Sequence, residues 1–242
     1  MIVCVYALVS PAPARLRLTG MAGEPLRVVT ANRIGAVVGG MRRAPAPSIR
    51  NLRRYAAVVE AIAAEAPAIL PARFATTVTG DEELAVILAS RGATLRRRLR
   101  AVRGRCQVTI RLLSPLSESE SESEPESESD DVPLASRSAI AGRTRPRVAH
   151  GATQGAQYLR RMAALAASAR AIPGFAPIRA AVRRFVKDER VEKRAGIVTV
   201  NHLIPRAAAP RYLAAVERAA TANHLRLMVS GPVAPYAFAD NW

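Results

Sequence analysis

Ile69–Val78, ILPARFATTV, is an apolar run of strand character that is interrupted almost as soon as it begins. Pro71 has no N–H to give a sheet ladder, so it belongs at a strand start, an edge or a bulge. Arg73 falls where the backbone changes direction, beside Phe74, one of only four phenylalanines in the chain. Two readings fit these residues. One is a strand-end turn whose arginine ties down loop carbonyls; the other is a recognition corner for a partner protein. Neither needs a catalyst.

Around this stretch, the segments before residue 115 read β-β-β-α-β-α-β. Ile2–Val9 is a first strand, because no lysine or arginine precedes its short apolar run as a signal peptide would require. Leu26–Thr30 and Ile34–Val38 form a hairpin around Ala31–Arg33. Ser48 caps a helix reaching about Glu65, with Leu52, Tyr55, Ala56, Val59, Ile62 and Ala63 on its buried face. Asp81 caps a second helix with the stripe Leu84, Leu88, Leu95 and Leu99, stopped by Gly104. In the next strand Val108, Ile110 and Leu112 alternate with Gln107, Thr109 and Arg111, which predicts one wet face.

Residues 117–131, SESESESEPESESDD, hold eight of the nineteen acids and no base. Such a run has no face to bury, so it should be an extended, disordered linker. Beyond it the spacing predicts helices over Thr153–Ala171 and Pro177–Val191, a strand over Ala195–Ile204, a helix over Pro210–Asn223 and a strand over Leu225–Val229. The units are therefore an N-terminal α+β domain (1–114), an acidic linker (115–135) and a C-terminal α+β domain (136–242). Antiparallel sheets with helices on one face are the natural architecture for both.

The formal net charge of +17 raises a nucleic-acid hypothesis. Arg96, Arg97, Arg98, Arg100, Arg103 and Arg105 are its best support, and an arginine-rich nucleic-acid-binding module is the competing function. No aromatic residue interleaves with them to form a stacking platform, so nucleic acid is disfavoured. No phosphate-cradling loop, nucleophile elbow or metal-ligand spacing is present. His202 shares a strand face with Val198, Val200 and Ile204 and reads as a satisfied core or edge histidine rather than a ligand or base. Cys4 and Cys106 read as buried, reduced thiols, as in a reducing cytoplasm. No uncharged apolar segment approaches the roughly 20 residues of a membrane span. The expectation is a soluble, cytoplasmic chain with no catalytic site, cofactor or metal.

Four stretches together resemble the gas vesicle protein GvpF/GvpL family. They are Val5–Val9 (VYALV), the Leu-Pro-x-Arg-Phe run carried by Leu70, Pro71, Arg73 and Phe74, Gln154–Met162 (QGAQYLRRM), and Gly231–Phe238 (GPVAPYAF). Ala75 stands where the family usually has glycine, and a left-handed backbone there would be strained. Val233 and Ala234 replace a tryptophan and a proline, Tyr55 a histidine, and Gln107 a glutamate. The resemblance implies two modified ferredoxin-like domains and a non-enzymatic accessory protein of gas vesicle formation. It further implies contact with the small hydrophobic shell protein during assembly, other gas vesicle accessory proteins as partners, and a place as a minor shell component. The candidate contact residues are Pro71, Arg73, Phe74, Pro235, Tyr236 and Phe238, where proline, arginine and aromatics gather at the ends of regular structure.

Overall fold

Strand β1 (Ile2–Val9) is buried almost throughout, as an apolar strand covered on both faces must be. The computed structural model describes residues 2–13, 16–113, 175–194 and 197–239. The acidic linker and the helix expected over 153–171 lie outside the described residues.

Around β1 stand β2 (Leu26–Ala31), β3 (Ile34–Met41), β4 (Ile69–Pro71) and β5 (Thr77–Val78). The order is β2-β3-β1-β4, with β5 also pairing with β1, and every pairing is antiparallel. The β2–β3 hairpin turns at Asn32 and Arg33, both with positive φ, as a two-residue primed turn requires. Helix α1 (Ile49–Glu65) starts where the Ser48 hydroxyl accepts the Asn51 amide at 3.1 Å. It packs Tyr55, Val59 and Ile62 against Tyr6, Val9 and Val37.

The opposite face, with Val5, Leu8, Ile34 and Val38, is covered by α2 (Asp81–Ser90) and α3 (Gly92–Val102) through Leu84, Leu88, Leu95 and Leu99. Helices thus cover both faces of this sheet, where one face was expected. The single long helix expected from Asp81 is broken at Arg91 (φ −102°, ψ 6°), just before Gly92. Asp81 does not cap it. Gly80 is the cap residue, Asp81 pairs with Arg27 through two 2.6 Å contacts, and Glu83 accepts the Thr79 amide at 2.7 Å.

Strand β6 (Arg105–Leu113), expected to close the N-terminal unit, is an inner strand of the second sheet instead. Gly104, at φ +67°, turns the chain out of α3 and across to it. Alternation along β6 fixes its two faces but not which sheet receives it. Its partners β7 (Asp188–Arg194), β8 (Ile197–Pro205) and β9 (Leu227–Val233) give the antiparallel order β7-β8-β6-β9. Helices α4 (Phe175–Val182) and α5 (Ala209–Ala222) cover the face carrying Cys106, Val108, Ile110, Val200 and Ile204. The helix expected over Pro177–Val191 ends at Val182. Its last residues begin β7, an edge strand whose charged sequence, DERVEKR, has no apolar alternation to reveal it.

Candidate functional site

ILPARFATTV is one interrupted edge strand. Ile69–Pro71 pair with Val9–Ala7, and Thr77 and Val78 pair with Cys4 and Val3. Between them the chain leaves β1 after the Ala72 amide donates to Tyr6 O (2.8 Å). It rejoins where the Val5 amide donates to Thr76 O (2.9 Å). Arg73, Phe74 and Ala75 form the excursion, and Ala75 has φ +63°, the left-handed conformation that favours glycine.

The excursion is held by Tyr55 from α1. Its hydroxyl donates toward Ala72 O at 2.9 Å and also lies near Tyr6 O (3.2 Å) and Arg73 O (3.4 Å). Its ring stacks on Tyr6 at 5.3 Å and takes Phe74 edge-on at 5.5 Å. Burial, then the proximity of Tyr236, pushes the Tyr55 hydroxyl above the ordinary tyrosine range, so it stays a neutral donor. The Tyr6 hydroxyl in turn donates to Glu24 and accepts the Met21 amide at 3.0 Å. Arg73 does not tie down the loop carbonyls. Tyr55 and Thr76 do so, and the Arg73 side chain is exposed.

The closing stretch arrives at the same place. Gly231 has φ +112°, and a Cβ there would sit 2.6 Å from Gln107 O, so only glycine lets the chain pass. The Ala234 amide then donates to Glu60 Oε1 on α1 (2.8 Å), and the Ala237 amide to Gln107 Oε1 (2.7 Å). Gln107 and Thr109, expected on a wet face, are buried with Asn201 in a bonded triad at 2.8–3.1 Å. The closing turn meets that face at Gln107. Phe238 packs with Leu70, Ala72 and Leu203, and the Arg190 guanidinium lies 5.2 Å over its ring. Arg206 completes the junction by donating to Ala63 O at the end of α1 (2.6 Å).

The two predicted stretches therefore meet across α1, but their residues divide by exposure. Pro71, Pro235 and Phe238 are buried and build the scaffold, whereas Arg73 and Tyr236 are exposed and Phe74 is half-buried. Sequence reasoning passed over Glu60 and Arg206. The available signals were an acid next to buried Val59 on α1 and an arginine following the end of a strand.

The second unit holds a different polar network. His202 is fully buried, with Nδ1 2.6 Å from the Tyr212 hydroxyl and Nε2 2.8 Å from Glu189, which pairs with Arg179 at 2.6 Å. The His202 hydrogen bond, aided by Arg179, holds the Glu189 carboxyl at about 2 against the opposing effect of burial. The four residues link α4, β7, β8 and α5, as expected of a satisfied core histidine. Burial pushes the Cys4 thiol up to about 12, with Glu24 adding to it, so it is an unreactive thiol. Among the described residues no group of histidine, cysteine and carboxylate side chains is arranged to hold a metal. No helix among them is long and apolar enough to cross a membrane. Of the α3 arginines, Arg97 and Arg100 are exposed, and the helix carries no aromatic residue.

The described residues form a two-sheet α+β fold whose distinctive feature is a surface built where two sequence stretches meet. A sequence model described as gas vesicle synthesis protein GvpL/GvpF matches residues 3–240. The chain belongs to that family, which places it in gas vesicle formation. It is 25% identical to a gas vesicle protein F from a Streptomyces strain, over 94% of this chain and 93% of that one. In fold it is similar to the crystal structure of GvpF from Microcystis aeruginosa, with a TM-score of 0.70 and 16% identity over 99% of each chain. It is also similar to the crystal structure of GvpF from Anabaena, with a TM-score of 0.67 and 15% identity over 100% of this chain and 99% of that one.

Proposed function

We propose that this chain is a non-enzymatic, cytoplasmic accessory protein that binds the small hydrophobic shell protein during gas vesicle assembly. In this reading it can remain with the vesicle as a minor shell component and works beside other accessory proteins. An apolar shell subunit in water exposes patches that aggregate before they polymerise, and a partner that covers such a patch keeps it competent. The observation that carries the reading is the convergence of the two stretches on Tyr55. It leaves Arg73 and Tyr236 exposed and Phe74 half-exposed, while Pro71, Pro235 and Phe238 are buried beneath them.

Each half is read as a modified ferredoxin-like unit, the first ending near Gly104. Support for the second comes from the chain order of its described elements, strand-helix-strand-strand-helix-strand, and their sheet order β9-β6-β8-β7. Residues 115–135 are read as a solvated acidic spacer.

The test is co-purification of the shell protein with Arg73→Ala and Tyr236→Ala variants. Both positions are exposed, so both variants should fold. Loss of the shell protein from the complex supports the surface, and undiminished capture by folded variants rejects it.

A further inference from the structure

Helix α1 buries less than its sequence promises. Leu52 and Ala56 belong to the apolar face expected to meet the core, yet both are exposed. Leu52 keeps 46% of its surface in water and Ile49 keeps 71%. The buried set is Tyr55, Val58, Val59, Ile62 and Ala63. Ile49, Leu52 and Ala56 are spaced three and four residues apart, so they form one stripe along the helix. A further step of four reaches Glu60, which holds the Ala234 amide beside Tyr236. The unburied stripe therefore runs into the exposed tyrosine.

The flank of this stripe has one sign of charge. Arg50, Arg53 and Arg54 are all exposed, and no acid occurs between Ile49 and Ala57. No carboxylate among the described residues pairs with these three arginines. Ala56 and Ala57 add a small-residue surface that a second helix can approach closely.

We propose that this half of α1 is a docking face for a partner protein's amphipathic helix whose apolar stripe is flanked by carboxylates. The partner's apolar residues would cover Ile49 and Leu52, and its acids would meet Arg50 and Arg53, a helix-on-helix recognition set by charge complementarity. A lipid surface suits the site less well. The core already takes the broad apolar face of α1, and the stripe left over has two large side chains, too little for interfacial insertion. The proposal adjoins the shell-protein surface at Tyr236 and rests on the reading of this face as an interaction surface, but its test uses different probes.

Fluorescence anisotropy with the full chain would compare two synthetic helical peptides sharing one Leu/Ala stripe, the first flanked by glutamates and the second by lysines. The glutamate peptide should bind, and the lysine peptide at least about tenfold more weakly. Leu52→Ser and the pair Arg50→Glu and Arg53→Glu should each weaken the glutamate peptide by about tenfold or more, the scale set by losing a buried leucine or two charge pairs. These positions are exposed, so thermal midpoints should stay at the wild-type value. Equal binding of the two peptides, binding of neither, or an unchanged Leu52→Ser variant would overturn the proposal. So would capture of the chain by phosphatidylglycerol vesicles without peptide binding. Shell-protein capture by the Arg73 and Tyr236 variants is read separately, so either proposal can fail alone.

Discussion

Ala75 carries the clearest conformational strain in the edge stretch. An L-residue in the left-handed region costs roughly 1–2 kcal/mol, and glycine escapes most of it. Ala75→Gly should therefore raise stability by about 1 kcal/mol, read as a higher denaturant midpoint with an unchanged slope. A midpoint that stays put would mean that the excursion relaxes without penalty. Glu189 supplies the pH-dependent counterpart. Its folded carboxyl titrates near 2, below the ordinary 4.5, so its contribution is complete above about pH 4.5 and fades as pH falls toward 2. Solvent screening of a side chain 24% exposed limits that contribution to about 2 kcal/mol or less. Stability curves of the wild type and Glu189→Gln should run parallel above pH 5 and converge in acid. Parallel curves throughout would remove Glu189 from the account. At this scale the sequence was partly legible. The burial of His202 could be read from the apolar strand face it shares, but its bonds to Tyr212 and Glu189 depend on residues from two other elements. Arg73 was the opposite case, because a charged residue at a turn does not reveal whether it binds its own loop or faces water.

Among the elements, α1 links the two units. It supports the edge excursion through Tyr55, accepts the closing segment through Glu60, and gives its last carbonyls to Arg206. Arg206→Met removes a charged donor from the end of α1 and should cost about 1–3 kcal/mol. Amide hydrogen exchange should quicken most in the last turn of α1, although the mutated residue belongs to the other unit, just after β8. Acceleration confined to the residues around Arg206 would place its role there alone. The start of α1 was legible because Ser48 is a local cap. The half of its apolar stripe that stays exposed was not, since periodicity describes a helix face without saying what covers it. Strand β7 escaped for a related reason. Edge strands are kept charged, which erases the alternation that identifies strands.

For the whole molecule, the closing turn joins the two sheets. Phe238 shares one hydrophobic core with Leu70 of β4 in the first sheet and Leu203 of β8 in the second, while Gln107 and Glu60 accept the Ala237 and Ala234 amides beside it. The two units should consequently unfold in a single calorimetric transition. Phe238→Ala should cost about 3–5 kcal/mol and lower that transition as a whole. Two resolved transitions in the wild-type protein would show the junction to be looser than its contacts imply. By itself the sequence determined β1, the β2–β3 hairpin, the start of α1, the strand through His202 and the stretches that reveal the family. Each is written in local pattern or in residues close in sequence. Only the tertiary structure decided that β6 joins the second sheet, that Gln107 and Thr109 are buried, and that Leu52 is not. Those outcomes depend on which distant surfaces meet, and an alternation of apolar and polar residues carries no record of its partner. ILPARFATTV shows both sides: Pro71 limited its place to a strand start, an edge or a bulge from sequence alone, while the edge position and the surface around Arg73 and Phe74 exist only because β1, Tyr55 and the closing turn come to meet it.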